Sequence, residues 1–263
     1  MKLAIVGKGG VGKTTLAAAL ARRQASLGRA VIAVDADPDG NLATALGVPE
    51  EAMPQPIAQM RNLILERTEA KDQGTGLMFK LNPLVDDLPE RFAVSICGVR
   101  LLVLGTVESG GKGCMCPEGA LLKALMQLLL LRLPDDVILD MEAGLEHLGR
   151  ASARGVDAMI AVVEPGMRSV QTAARAQRLA ADIGIQRIFI VGNRIRDQHE
   201  IELLERSLNG RCILGMLPYC AELARADLEG RAADVKDQPF LEAVNNIGET
   251  LSKHLNGRCP VVG

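Results

Sequence analysis

The sequence predicts an α/β fold: a doubly wound, mostly parallel sheet with flanking helices. Three observations predict it. Short apolar runs recur at Leu3–Val6, Ala30–Val34, Val137–Leu139 and Ala158–Val163. They are uninterrupted rather than alternating, as strands buried on both faces are. Helical-period stretches separate them, which is how a parallel sheet is crossed over. Finally, 48% of 263 residues are apolar, enough for a substantial core. We read residues 1–263 as one domain, with 48–95 as an insertion and hairpin region.

The first run leads into Gly7-Lys8-Gly9-Gly10-Val11-Gly12-Lys13-Thr14-Thr15 and then an alanine-rich amphipathic stretch, Leu16 to Leu27. Strand, glycine loop and helix are the context in which G-x-x-x-x-G-K-[ST] becomes a phosphate cradle, the mark of a P-loop NTPase. Glycines let backbone N–H groups turn inward, and the helix N-terminus favours anionic oxygens. Lys13 is placed to reach the β- and γ-phosphates, and the Thr14 hydroxyl to ligate Mg²⁺. The same letters satisfy G-x-G-x-x-G at Gly7, Gly9 and Gly12, with Asp35 where a ribose-binding acid would sit. That dinucleotide reading gives no reason for Lys13-Thr14, nor for an apolar strand ending in Asp140. The triphosphate reading is preferred.

Ala30–Val34 predicts a second strand, ending in Asp35-Ala36-Asp37-Pro38-Asp39-Gly40-Asn41. Carboxylates there can hold Mg²⁺ or orient water, although Asp-Pro and Asp-Gly are also ordinary turn formers. Pro49, Pro54 and Pro56 break the chain before a helix expected over Ile57–Arg67 and a loop over Lys71–Gly76. Phe92–Ile96 and Val99–Leu104 alternate around Cys97-Gly98, predicting a hairpin that leads into a central strand.

Gly110-Gly111-Lys112-Gly113-Cys114-Met115-Cys116-Pro117-Glu118 follows. Two cysteines at this spacing can aim both sulfurs at one point, and Pro117-Glu118 suits the first turn of a helix. That helix end and Lys112 should favour thiolates, ready for a soft or borderline metal. One pair supplies two ligands where a closed site takes four, and a two-fold dimer would present the pair twice. A redox disulfide and buried structural cysteines are the competing readings.

Val137–Asp140 predicts a strand whose terminal carboxylate, Asp140, can hold Mg²⁺ through water. Met141-Glu142-Ala143-Gly144-Leu145-Glu146-His147 follows, and a lone His147 at a helix start is more often solvated than a ligand. Ala158–Val163 and Arg187–Val191 are strands on either side of an amphipathic helix, Ser169–Ile183. Gly192-Asn193-Arg194 closes the second of them, and the Asn193 amide can both donate to and accept from a base edge. A last strand, Ile213–Leu217, ends at Pro218-Tyr219, and Phe240–Leu255 closes the chain as a helix.

Lys8-Gly9-Gly10-Val11-Gly12-Lys13-Thr14 resembles the deviant P-loop of dimerising ATPases, which include nitrogenase iron protein, the Min and Par positioning ATPases and metal-cluster assembly ATPases. The resemblance implies that Lys8 contacts nucleotide across a dimer interface and that Asp37 positions the hydrolytic water. It also implies that Glu142 and its neighbours form the second switch, that Asn193 reads adenine, and that Pro218-Tyr219 is the base-side loop. The cysteine pair, with Asp140-Met141-Glu142-Ala143-Gly144-Leu145-Glu146-His147, makes the pattern similar to CooC-type nickel-insertion ATPases over nearly the full length. That implies ATP/ADP and Mg²⁺ as ligands, Ni²⁺ (or Zn²⁺) on Cys114 and Cys116 from two chains, and a homodimer. The implied client is apo carbon monoxide dehydrogenase or the related acetyl-CoA synthase.

Rivals remain. An iron–sulfur scaffold ATPase also uses paired interface cysteines. A nitrogenase-like reductase needs a cysteine where Glu142 stands, and a membrane-positioning ATPase ends in a basic amphipathic helix, which Asn256-Gly257-Arg258-Cys259-Pro260 is not. A net charge of −2 gives no global case for nucleic acid or anionic membrane, and 2% aromatics disfavour base stacking. Six scattered cysteines do not read as a disulfide framework, and no signal pattern precedes the first strand, so a soluble cytoplasmic protein is expected.

Overall fold

The computed structural model describes residues 1–38, 40–70, 78–105, 116–142, 150–208, 210–229, 231 and 236–257. The expected loop at 71–76, Cys114 and most of the second switch, with His147, lie outside the described residues. Eight strands are described: β1 (Lys2–Gly7), β2 (Val31–Ala36), β3 (Val94–Ile96), β4 (Val99–Val103), β5 (Asp136–Met141), β6 (Ala158–Val163), β7 (Ile188–Ile195) and β8 (Ile213–Pro218). They form one sheet in the order β3-β4-β2-β5-β1-β6-β7-β8, parallel throughout except for β3 against β4.

The doubly wound core follows from burial on both faces. Along β1, Ala4 and Val6 face one core and Leu3 and Ile5 the other, all 0% exposed. The helices divide accordingly. The face with Leu3 and Ile5 is covered by α1 (Lys13–Ser26), α2 (Leu42–Ala45) and the closing helix Gln238–Leu255. The other is covered by α3 (Arg61–Thr68), α4 (Leu88–Phe92), α5 (Pro117–Gln127), α6 (Arg150–Ala153), α7 (Met167–Ile183) and α8 (Gln198–Leu208). Next in the chain come α9 (Ala221–Leu228) and the closing helix itself, α10.

Local chemistry explains several boundaries. The β3–β4 hairpin turns on Cys97 (φ 49°) and Gly98 (φ 76°), the two positive φ values that a two-residue type I′ turn needs. The single helix expected over Ile57–Arg67 is instead a 3₁₀ turn, Ile57–Gln59, and then α3, because Met60 (ψ 72°) breaks the backbone between them. Strand β7 runs past the expected Val191 to Ile195, since β8 keeps pairing with it beyond a bulge. Helix α8 was not anticipated. A reciprocal cap starts it, with Glu200 N–H donating to Asp197 and Arg196 N–H donating to Glu200 (2.9 and 2.7 Å), so Asp-x-x-Glu was the available signal.

At the lower edge of the sheet, Lys2 is 8% exposed and its ammonium donates to the carbonyls of Leu129, Leu133 and Asp135 at 2.9, 2.8 and 2.7 Å. These belong to the π-helical turn Leu128–Arg132, which extends α5, and to the chain just after it. A π turn leaves carbonyls without ordinary α-helical partners, and a buried ammonium satisfies them. Burial lowers the Lys2 pKa, while Asp135, Asp136 and Asp157 oppose that shift.

Candidate functional site

The carboxyl ends of β1, β2 and β5 lie level. Ile5 pairs with Asp140 and Asp35 pairs with Asp140, so one strand delivers the glycine loop and its neighbours deliver carboxylates beside it. Helix α1 starts at Gly12 without a side-chain cap and with no acid in its first turn. Its leading N–H groups and dipole are therefore left to an anion. Gly12 has φ 94°, and a Cβ there would collide with the amide nitrogen of Asn193. Glycine thus lets Asn193 Nδ2 donate to the Val11 carbonyl at 2.8 Å, tying β7 to the loop.

Two contacts organise the polar centre. Lys13 Nζ sits 2.7 Å from Asp37 Oδ2, with side chains only 8% and 7% exposed. Thr14 Oγ1 donates to Asp140 Oδ2 at 2.6 Å. The other Asp140 oxygen, Oδ1, is buried and has no hydrogen-bond partner among the described residues. Such an oxygen is costly to leave unsatisfied, and with a hydroxyl beside it the donor set fits a hard divalent cation. Burial pushes Asp140 up to about 7, helped by the nearby Asp35 and Asp37 and opposed by the Thr14 hydrogen bond and Lys13.

The sequence offered Asp35 as a ribose-binding acid in the dinucleotide alternative, or as one of the strand-end carboxylates for Mg²⁺ or water. The structure gives it another part. Its two oxygens accept from Asp37 N–H (3.3 Å) and Leu42 N–H (3.0 Å), pinning both ends of the loop that carries Asp37. Burial pushes Asp35 up to about 6, with the two backbone N–H bonds and Lys13 opposing and Asp37 adding to the rise. A strand-terminal acid two residues before Asp37 was the only signal for this role.

A cleft of about 730 Å³ opens over this centre. Gly9, Gly10, Gly12, Lys13, Thr14, Thr15 and Asp37 line it, together with Asn193, Arg194, Pro218 and Tyr219. Val11 is buried, Asp140 lies beneath Thr14, and Lys8 is exposed. Of the two cysteines, Cys116 is described as the N-cap residue of α5, its sulfur accepting from Gly119 N–H at 3.3 Å. Among the described residues no three His, Cys, Asp or Glu side chains converge as metal ligands. No helix among them is long and apolar enough to cross a membrane.

Comparisons agree with this geometry. Residues 3–233 match the family described as the CobQ/CobB/MinD/ParA nucleotide-binding domain. The chain is 44% identical to the carbon monoxide dehydrogenase accessory protein CooC of Rhodospirillum rubrum over 232 residues, 88% of each chain. It is equally 44% identical to an uncharacterized ATP-binding protein of Methanocaldococcus jannaschii over 245 residues, 92% of this chain and 94% of that one. Among solved structures, MinD of Aquifex aeolicus superposes with a TM-score of 0.66 at 21% identity, covering 100% and 99% of the two chains. A ParA family ATPase from Chlorobium tepidum gives 0.66 at 18%, covering 95% and 97%; both likenesses speak to the fold. The chain belongs to the CobQ/CobB/MinD/ParA nucleotide-binding family, as an ATPase similar to CooC.

Proposed function

We propose that residues 1–263 form one ATPase domain, a metallochaperone that dimerises with nucleotide, metal or both. Its task is to insert nickel into carbon monoxide dehydrogenase or the related acetyl-CoA synthase. One observation carries the hydrolytic half: Lys13, Thr14, Asp37 and Asp140 converge under a loop whose helix N-terminus is uncapped. The 44% identity with CooC over 88% of both chains supports the choice of client.

In this reading the loop from Gly9 to Thr15 wraps the phosphates, and Lys13 exchanges its carboxylate partner for phosphate oxygens. Thr14, Asp37 and Asp140 would hold Mg²⁺, which neutralises charge on the β- and γ-phosphates. Asp37, released from Lys13, accepts a hydrogen bond from water and orients it toward the γ-phosphorus. Asn193 and Pro218 flank adenine, while Lys8, exposed at the loop, serves the partner's phosphates.

The cargo sits elsewhere. Cys116 lies at the N-terminus of α5, where a helix dipole and a donated N–H favour thiolate over thiol. Thiolates suit Ni²⁺ and equally Zn²⁺, and Cys114 with Cys116 from two chains would make four ligands. Metal analysis of the purified protein with ultraviolet–visible spectra tests this. One nickel or zinc ion per two chains, lost in Cys114→Ala/Cys116→Ala, is expected. Iron with acid-labile sulfide would replace the nickel reading by an iron–sulfur scaffold, and unchanged stoichiometry in the double variant would move the site away from the pair.

A further inference from the structure

Among the described residues three non-glycines have positive φ: Glu69, Cys97 and Arg194. Glu69 ends α3 and Cys97 sits in a hairpin turn, both positions where a left-handed residue is ordinary. Arg194, at φ 59°, stands inside a strand. Between the pairs Gly192↔Met216 and Ile195↔Pro218, β7 advances three residues while β8 advances two. The extra residue is a bulge, a device that re-aims a side chain beside active sites, and its left-handed position ordinarily belongs to glycine.

No structural need accounts for arginine there. Among the described residues its ion-pair partner is Glu164, 3.6 Å away, with the two side chains 44% and 33% exposed. A pair that open contributes little and does not offset a strained backbone. What the bulge achieves is placement, because Arg194 lines the cleft beside Asn193, Pro218 and Tyr219. Two aromatic side chains among the described residues line the cleft, Phe240 and Tyr219, the latter 42% exposed. Phe240 is 2% exposed, and the Tyr219 ring already carries the Arg196 guanidinium 5.1 Å from its centroid.

We propose that Arg194 is kept in its strained conformation in order to lay its guanidinium plane over the face of a purine nucleotide base. It gives the base a stacking face in a cleft whose exposed ring, Tyr219, already carries a cation. This rests on the reading that the base lies between Asn193 and Pro218. It adds affinity for the base without reading its edge, so adenine selectivity stays with Asn193.

Calorimetric titration of wild type and Arg194→Gly with ADP and with pyrophosphate tests it, alongside thermal melts. Glycine accepts the left-handed backbone, so the Tm should hold or rise. ADP should bind roughly two- to fivefold more weakly, as loss of one cation–π contact implies. Pyrophosphate should bind as before. An equal loss for pyrophosphate would make Arg194 a phosphate contact and overturn the proposal. If wild type prefers ADP to pyrophosphate and Arg194→Gly keeps that preference in full, Arg194 has no part in the base subsite. If wild type shows no such preference, the base subsite itself is misplaced and Arg194 falls with it.

Discussion

Replacing Asp37 by asparagine should tighten ADP binding in the absence of Mg²⁺ while abolishing turnover. Asp37 holds the Lys13 ammonium that phosphates would take, 2.7 Å away and almost fully buried. At an effective dielectric of about 20, charges that close attract by roughly 6 kcal/mol. Desolvation of both ions cancels most of that, leaving a net of about 1–2 kcal/mol. Phosphate must displace the carboxylate before it reaches Lys13, whereas in Asp37→Asn it displaces only a neutral amide. The Kd for ADP, measured calorimetrically in EDTA, should therefore fall about 5- to 30-fold. The unliganded variant should melt at a lower temperature, because Lys13 stays buried without a counter-charge, and ADP should raise its Tm by more than in wild type. Unchanged or weaker ADP binding would show that phosphate and Asp37 do not compete for Lys13. Undiminished phosphate release with Mg²⁺-ATP would remove Asp37 from the hydrolytic step.

Two further outcomes follow from the same site. Asp140 at about 7 and Asp35 at about 6 both lie above their unfolded value of 3.8, so the folded state binds more protons between those limits. Their contribution to stability is present at low pH and is lost as pH rises from the unfolded value through the folded ones; the Tm of nucleotide-free protein should drop between about pH 4 and 7, and drop less in Asp140→Asn. Parallel slopes for the two proteins in differential scanning fluorimetry would contradict that assignment. Lys8→Ala should lose self-association driven by a non-hydrolysable ATP analogue but keep any dimer held by metal, as read by analytical ultracentrifugation. Wild type that ignores the analogue would end the cross-dimer role of Lys8.

Much of this was legible in the sequence because it rests on local rules. The glycine loop between an apolar strand and a helix needs no tertiary information, and uninterrupted strands such as Val137–Leu139 signal burial on both faces. The hairpin at Cys97-Gly98 was announced by alternation on either side. Less legible were features decided by neighbours distant in the chain. Asp35 pins Leu42 only because the loop folds back over β2, and the Arg194 bulge exists only because β8 pairs on both sides of it. The Lys13–Asp37 pair also depends on register between strands, so spacing could place both residues near phosphate but not on each other.

The Lys2 ammonium has a mechanical consequence. It fastens the foot of the strand that ends in the glycine loop to the foot of the helix that begins at Cys116. From Pro117 through the π turn to Arg132 that helix is about 24 Å long at the usual rise per residue. Pinned below and buried along one face through Leu121, Leu122 and Leu125, it carries the cysteine at its other end. A tilt of only about 5° about the pin would carry that end sideways by about 2 Å, as far as a metal–sulfur bond is long.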